Sequence, residues 1–269
     1  MTDLKNIKLF LFDMDGTLYL GDRLFEHTKK LLEVIRAQGH RYLFMTNNSS
    51  KSVNAYVEKL AKLGIEAEKE DFMTSSQATG GYLLEHHKEQ KIYVTGTNSL
   101  KEELKSYGLN ITDEKSEDIE CIVVGFDTEL TFKKLENLSM LLTEKENIPY
   151  IATNLDMVCP TEWGFVPDCG SVSDMIYNAT GKRPMVIGKP SPLMPQLAMK
   201  KYGVAPEETL LVGDRLYTDI ACGLNAKIPT ILVLSGETDE KMAAEAEYQA
   251  DRILQDIGVI LDELRAEGI

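Results

Sequence analysis

Apolar and polar residues alternate in blocks along the chain, and the blocks have two periods. Ile7-Lys8-Leu9-Phe10-Leu11-Phe12 is a short apolar run of strand length. Leu24 to Gln38 has helical spacing, with Leu31, Leu32 and Ile35 on one face before Gly39. Arg41 to Met45 reads as the next strand, and Ser50 as the cap of a helix carrying Val53, Tyr56, Val57, Leu60 and Leu63 that stops at Gly64. Strand, helix, strand, helix predicts a parallel sheet, because parallel neighbours need a crossover between them. Further strand runs follow at Ile92–Val94, Cys121–Val124, Tyr150–Ala152, Met185–Ile187, Thr209–Val212 and Thr230–Leu234. These exceed what one five- or six-stranded sheet uses, and the stretch from about Gly80 to Pro184 has strand and helix signals of its own. The expected architecture is α/β: a Rossmann-like parallel-sheet core from residues 1–79 and 185–269, with an α/β domain inserted at 80–184.

Composition narrows the class. The chain has 269 residues, enough to bury a substantial core; 27% are charged and 43% hydrophobic, as in an ordinary globular protein. No apolar run approaches the roughly 20 residues that span a bilayer, so no membrane partner is expected. The segment Met1–Asn6 lacks a signal-peptide pattern, which makes a cytoplasmic location the expectation. Cys121, Cys159, Cys169 and Cys222 are scattered without a C-x-x-C pair, and with four histidines they argue against structural zinc. A net charge of -14 argues against a nucleic-acid surface, which needs clustered Lys and Arg. It leaves room for a small phosphorylated ligand, since one metal ion and one lysine can reverse the field inside a pocket.

Four polar clusters follow apolar strand runs, which places them where open parallel sheets bind ligands. In Asp13-Met14-Asp15-Gly16-Thr17, one carboxylate could attack phosphorus while the other, protonated, serves the leaving group. Taken alone, the segment would equally be an Asp-Gly turn; a calcium loop of the EF-hand type is excluded because the glycine is fourth rather than sixth. Thr46-Asn47-Asn48-Ser49-Ser50 offers a hydroxyl, amides and backbone donors near a helix start, suited to a phosphate or simply to a helix cap. Gly188-Lys189-Pro190 could supply a fixed positive charge, although most lysines are solvated. In Gly213-Asp214-Arg215-Leu216-Tyr217-Thr218-Asp219, Asp214 could bind a hard cation and Asp219 hold its water ligands; the bland reading is an acidic helix start. Each signal is weak alone, but the four are complementary.

Together they resemble the motifs of the haloacid dehalogenase superfamily of phosphotransferases, here DMDGT, TNNS, GKP and GDRLYTD. The interval between Thr46 and Lys189 is similar to the subgroup with a large cap between the second and third motifs. TNNSS, ATNLD (Ala152 to Asp156) and GDRLYTDI resemble the NagD and p-nitrophenyl phosphatase branch. The resemblance implies that Asp13 attacks phosphorus to form an aspartyl-phosphate, that Asp15 is general acid and then base, and that Lys189 balances charge. It implies that Thr46 and the backbone around Asn47 and Asn48 hold the phosphoryl oxygens. Mg2+ would be bound by Asp13, the Asp15 carbonyl and Asp214, with Asp219 orienting metal-bound water. By the same similarity Phe126 and the loop Asn154–Trp163, with Cys159, are candidates to face the leaving group, unless they are cap core. Carbon–halogen cleavage shares the nucleophilic aspartate, but halide needs no proton, and Asp15 favours phosphate.

The expected function is Mg-dependent hydrolysis of small-molecule phosphate monoesters. The alternatives are transfer of the phosphoryl group to an organic acceptor, a non-catalytic member that binds a phospho-ligand, and a receiver-like domain, which the insert disfavours. Caps in this group can pair subunits, so a homodimer is among the expectations. Tyr217 stands where related sequences often carry an acid, which leaves the metal set intact and the inherited substrate preference open.

Overall fold

The computed structural model describes residues 3–161 and 163–266; Met1 and Thr2, where the signal-peptide reading begins, and Glu162, in the loop Asn154–Trp163, lie outside that range. The chain forms two compact units: residues 1–46, 57–73 and 189–269 in the first, and 47–56 and 74–188 in the second.

The first unit is built on a six-stranded sheet in the order Arg252–Leu254, Thr230–Val233, Thr209–Gly213, Leu9–Asp13, Arg41–Thr46, Phe72–Thr74. Leu9–Asp13 pairs in parallel with both Arg41–Thr46 and Thr209–Gly213, with Asp13 opposite Met45 and Phe12 opposite Val212. Leu9, Phe10, Leu11 and Phe12 are all fully buried, which is why this strand reads as an unbroken apolar run rather than an alternating one. After this strand the sheet grows first toward Arg41 and Phe72 and then, on the other side, toward Thr209, Thr230 and Arg252. The Asp13 strand is therefore the topological switch point, and a crevice forms beyond the carboxyl ends of such strands. Helix Thr28–Ala37 buries Leu31, Leu32 and Ile35, the face expected from the spacing.

The second unit has its own five-stranded sheet in the order Met185–Val186, Tyr150–Ala152, Cys121–Val124, Lys91–Thr95, Asn110–Thr112, parallel throughout. An antiparallel hairpin, Val158–Thr161 with Gly164–Pro167, follows it. Its core collects Tyr93, Ile122, Val124, Leu138, Leu141, Phe126 and Val172. The fold is thus a parallel-sheet α/β core carrying an inserted α/β domain.

Three local readings are corrected. The helix expected to be capped by Ser50 starts at Val53, and Ser50 instead gives its N–H (2.9 Å) and hydroxyl (2.7 Å) to Asn48 Oδ1. Met185–Val186, read as a core strand, pairs with Tyr150–Ala152 in the second sheet, and Ile187 and Gly188 continue that ladder to Ala152 and Thr153. An apolar triplet carries the same signal in either parallel sheet, so the sequence could not say which one it joins. The segment after Gly213 is one π-helical turn, Leu216–Ile220, before the helix Ala221–Ala226.

Candidate active site

Three adjacent strands of the first unit end in Asp13, Thr46 and Gly213, and the last is followed directly by Asp214. One carboxylate oxygen each from Asp13, Asp214 and Asp219 lies within 4.8 Å of the others. Lys189, 3% exposed, binds two of the three: its Nζ donates to Asp13 Oδ1 and, at 2.7 Å, to Asp219 Oδ1. The second Asp219 oxygen accepts from the Arg215 N–H at 3.1 Å. Asp214 is held by the Thr17 hydroxyl at 3.2 Å and by the Glu237 N–H at 2.8 Å, one on each oxygen.

The backbone makes this convergence fit. Gly16 has φ of +92°, and a Cβ there would lie 2.4 Å from an Asp214 oxygen. A Cβ on Gly213 would lie 2.3 Å from the Asp219 Cβ. Close approach requires glycine at both positions, and at Gly16 the turn geometry requires it as well. The π turn contributes the return: the Ile220 N–H reaches the Arg215 carbonyl at 3.1 Å, and this wider turn brings the Asp219 carboxylate back onto the Arg215 amide.

Crowding three carboxylates out of water has electrostatic consequences. Burial raises the Asp13 pKa well above the usual carboxylate range, Lys189 opposes this, and Asp219 and Asp214 add to it. Burial, and then Asp219, push Asp214 up to about 6. Burial works against the Lys189 ammonium, but Asp13 and Asp219 hold its pKa above that of an ordinary lysine. Burial likewise opposes the Arg215 charge, which Asp13 and Glu237 more than restore. The protein thus sets excess negative charge in a pocket of oxygen donors. That donor set fits a hard divalent cation, with Asp13 and Asp214 able to hold it, since each carboxylate oxygen has a second lone pair.

Asp15 is placed differently from the other three. Its carboxylate, 47% exposed, lies 3.7 Å from Lys59 Nζ and accepts from the Gly21 N–H at 3.4 Å. Lys59 in turn sits 4.1 Å over the Tyr19 ring. The expected phosphate-binding residues divide at the boundary between units, with Thr46 in the first and Asn47 and Asn48 in the second. Phe126 is 5% exposed and belongs to the core of the second unit, and Cys159 packs against the same cluster. Phe126 contributes its backbone N–H, which donates to Ser49 Oγ at 2.9 Å.

Thr17, Lys59, Arg215 and Glu237 contact the expected residues and carry no role in the sequence reading. Thr17 and Arg215 stand inside the motifs already singled out. Glu237 follows the apolar run Thr230–Leu234 by the same strand-end logic, which could have found it. Lys59 has no signal beyond its place on a helix.

The sequence pattern of the haloacid dehalogenase-like hydrolases matches residues 10–110, and a HAD-hydrolase-like pattern matches residues 186–260. A 5'-nucleotidase of Bacillus subtilis is 34% identical over 235 residues, covering 87% of this chain and 90% of its own. The crystal structure of a 4-nitrophenylphosphatase from Thermotoga maritima superposes with a TM-score of 0.91 at 37% identity, over 96% of this chain and 98% of that one. A glycerol phosphate phosphatase from Mycobacterium tuberculosis, in complex with magnesium, superposes with a TM-score of 0.88 at 29% identity, over 98% of this chain and 79% of that one. With its switch-point carboxylates and its inserted α/β domain, the chain belongs to the haloacid dehalogenase-like hydrolases, in their NagD and p-nitrophenyl phosphatase branch, and is a phosphatase.

Proposed function

We propose that the chain hydrolyses small-molecule phosphate monoesters through an aspartyl-phosphate on Asp13, with Asp15 as general acid and base and magnesium as the cation. The observation that carries this reading is the cluster of Asp13, Asp214 and Asp219, two of which, Asp13 and Asp219, are held by one buried lysine. Lys189 fixes one Asp13 oxygen, and among the described residues the other has no hydrogen-bond partner, which leaves it as the attacking atom.

In the first step an Asp13 oxygen bonds to phosphorus, the bond from phosphorus to the leaving oxygen breaks, and the Asp15 carboxyl gives that oxygen its proton. Asp15, now a carboxylate, takes a proton from water as the water oxygen bonds to phosphorus. The Asp13–phosphorus bond then breaks, releasing inorganic phosphate, freeing the Asp13 carboxylate and leaving Asp15 protonated for the next cycle. For the proton transfers the Asp15 side chain leaves its contact with Lys59, a rotation about exposed bonds. Thr46, Asn47 and Asn48 bind the phosphoryl oxygens, and Lys189 offsets charge on the nucleophile and phosphoryl group. Asp13, Asp214 and the Asp15 carbonyl would hold the cation, with Asp219 supporting from behind because both of its oxygens are already engaged. A bound divalent ion neutralises phosphoryl charge that these carboxylates would otherwise repel.

The names of the relatives span a nucleotide, an aryl phosphate and glycerol phosphate. They share the phosphoryl end, so the substrate class proposed is a small monoester. Release of phosphate from p-nitrophenyl phosphate, a sugar phosphate and a nucleoside monophosphate is expected with magnesium and abolished by chelation. Asp13→Asn should lower kcat by at least about a thousandfold while keeping the fold by circular dichroism. Substantial turnover in that variant, or in excess chelator, would refute the mechanism.

A further inference from the structure

Within the second unit, the segment Asn47–Ser50 and the loop after the strand Tyr150–Ala152 are bound side chain to side chain. Asn47 Nδ2 donates to Asp156 Oδ1 at 3.0 Å. Asn48 Nδ2 lies 4.0 Å from Cys159 Sγ, and Ser49 Oγ lies 2.8 Å from Thr153 Oγ1. The loop holding Asp156 is itself fastened to the start of helix Cys169–Thr180. The Asp156 carbonyl accepts from the Gly170 N–H at 2.9 Å, and the Met157 carbonyl accepts from the Asp168 N–H at 3.0 Å and the Ser171 hydroxyl at 2.5 Å. Asp156 therefore presents its carboxylate from a fixed base.

What it fixes is the Asn47 amide. An ionised carboxylate only accepts, so it selects the NH2 end of the asparagine and leaves the oxygen turned away. Asn47 is 5% exposed, and its carbonyl accepts from the Ser75 hydroxyl at 2.6 Å, so backbone and side chain are both held. A hydrogen bond to an ionised carboxylate is stronger than one between neutral groups, so its loss weakens the hold on the amide.

We infer that Asp156 is a positioning residue for the phosphoryl-binding segment, tying Asn47 to the same loop, Asn154–Trp163, that would face the leaving group. This rests on the proposed role of Asn47 in holding phosphoryl oxygens. The ATNLD signature thereby acquires a physical role, since its last residue sets the hydrogen-bonding direction of the TNNSS segment. Because Asn47 touches only the group common to every substrate, loss of Asp156 acts equally on all of them.

The test compares the wild type with Asp156→Ala and Asp156→Asn, full-length and with magnesium present. Calorimetry reads binding of inorganic phosphate, and kcat/KM is measured for p-nitrophenyl phosphate, a sugar phosphate and a nucleoside monophosphate. For Asp156→Ala we expect the phosphate dissociation constant to rise by about tenfold or more, and kcat/KM to fall by the same factor for all three esters. Asp156→Asn, whose amide oxygen still accepts, should stay within about threefold of wild type. If Asp156→Ala fails to fold, Asp156→Ser, too short to reach Nδ2, takes its place. Unchanged phosphate affinity with a lowered melting temperature would reduce Asp156 to a structural residue and overturn the inference. Unequal losses among the three esters would overturn it too, by showing a contact to the leaving group. Failure of the underlying phosphatase reading shows up separately, as a wild type that releases no phosphate, and the calorimetric comparison still reports on Asp156.

Discussion

Two networks, the carboxylate cluster of the first unit and the Ser49 network of the second, solve the same problem, holding polar atoms away from water, with opposite materials. In the first unit the polar atoms belong to acids and bases: Asp13, Asp214, Asp219, Lys189 and Arg215 gather around the carboxyl ends of neighbouring strands. In the network around Ser49 in the second they are mostly neutral hydroxyls and amides, Ser49, Thr153, Asn154 and Asn47, bound to the carboxylates of Asp156 and Asp168. Charges out of water are costly unless paired, and here they are paired incompletely, with Asp13 and Asp219 sharing one lysine and Asp214 held only by a hydroxyl and a backbone N–H. Neutral groups cost less to bury and, where they are satisfied, serve to fix a shape. The first arrangement stores electrostatic imbalance that chemistry can use. The second stores orientation.

Lys189→Met tests the first half of that contrast and should have the largest effect. It removes the cation from Asp13 and Asp219 and leaves two carboxylates, one buried and one largely so, facing each other. Breaking such a pair costs about 3–5 kcal/mol, which equilibrium unfolding in urea would read on chelated protein at neutral pH. The same change takes away charge stabilisation at the phosphoryl group, so kcat should fall by about a hundredfold to a thousandfold. A variant that kept near-normal kcat would mean that the imbalance is not used.

Ser49→Ala tests the second half. Ser49 is fully buried, and its Oγ accepts from the Phe126 N–H at 2.9 Å and meets Thr153 Oγ1 at 2.8 Å. Alanine leaves a buried N–H without its acceptor, a loss of about 1–3 kcal/mol. Because the loss is in stability and not in charge, kcat/KM should remain within about threefold once the protein is folded. A fall as large as that of Lys189→Met would erase the distinction between the two units.

The same contrast explains what could be read in the sequence. A strand buried on both faces writes an apolar run, and an acidic residue at its end stands out; Asp13 and Asp214 are legible that way, and Lys189 follows the shorter, half-exposed run Met185–Ile187. The carboxylates sit at strand ends because only there can the backbone leave the sheet, at Gly16 and after Gly213, closely enough for them to converge. Neutral networks leave no such mark. Ser49, Thr153 and Asn154 look like any loop, and the partner of Ser49 is about a hundred residues away in the chain. Ser50 illustrates the ambiguity: as a serine before a helix it reads as a cap, but in the fold its hydroxyl turns back to Asn48. Which of two parallel sheets takes Met185–Val186 is equally invisible, since both reward the same apolar triplet. Phe126 has two readings in the sequence, a leaving-group contact or cap core. Its ring lies in the core, while its backbone N–H does the polar work.

Tyr217 sits at the border of the contrast, a neutral residue inside the charged unit. Its hydroxyl donates to Glu237 Oε1 at 2.8 Å, while Glu237 Oε2 lies 2.9 Å from Arg215 Nε. The backbone N–H of the same Glu237 holds Asp214. The arrangement looks like a clasp on the cation ligand, but the side chains that close it are unequal. Tyr217 is 49% exposed, and water competes for every bond its hydroxyl makes. The grip on Asp214 runs through the Glu237 backbone, which a change at Tyr217 does not remove. Tyr217→Phe should therefore cost less than about 1 kcal/mol in stability, the low end for a hydrogen bond that solvent can replace. It should change kcat/KM by less than about threefold and leave the magnesium half-saturation concentration within about twofold. A tenfold rise in that concentration would show that the exposed hydroxyl, acting through Glu237, sets the position of Asp214. The charged site would then extend to the protein surface, and the residue that departs from the acidic one common in related sequences would be part of its metal affinity.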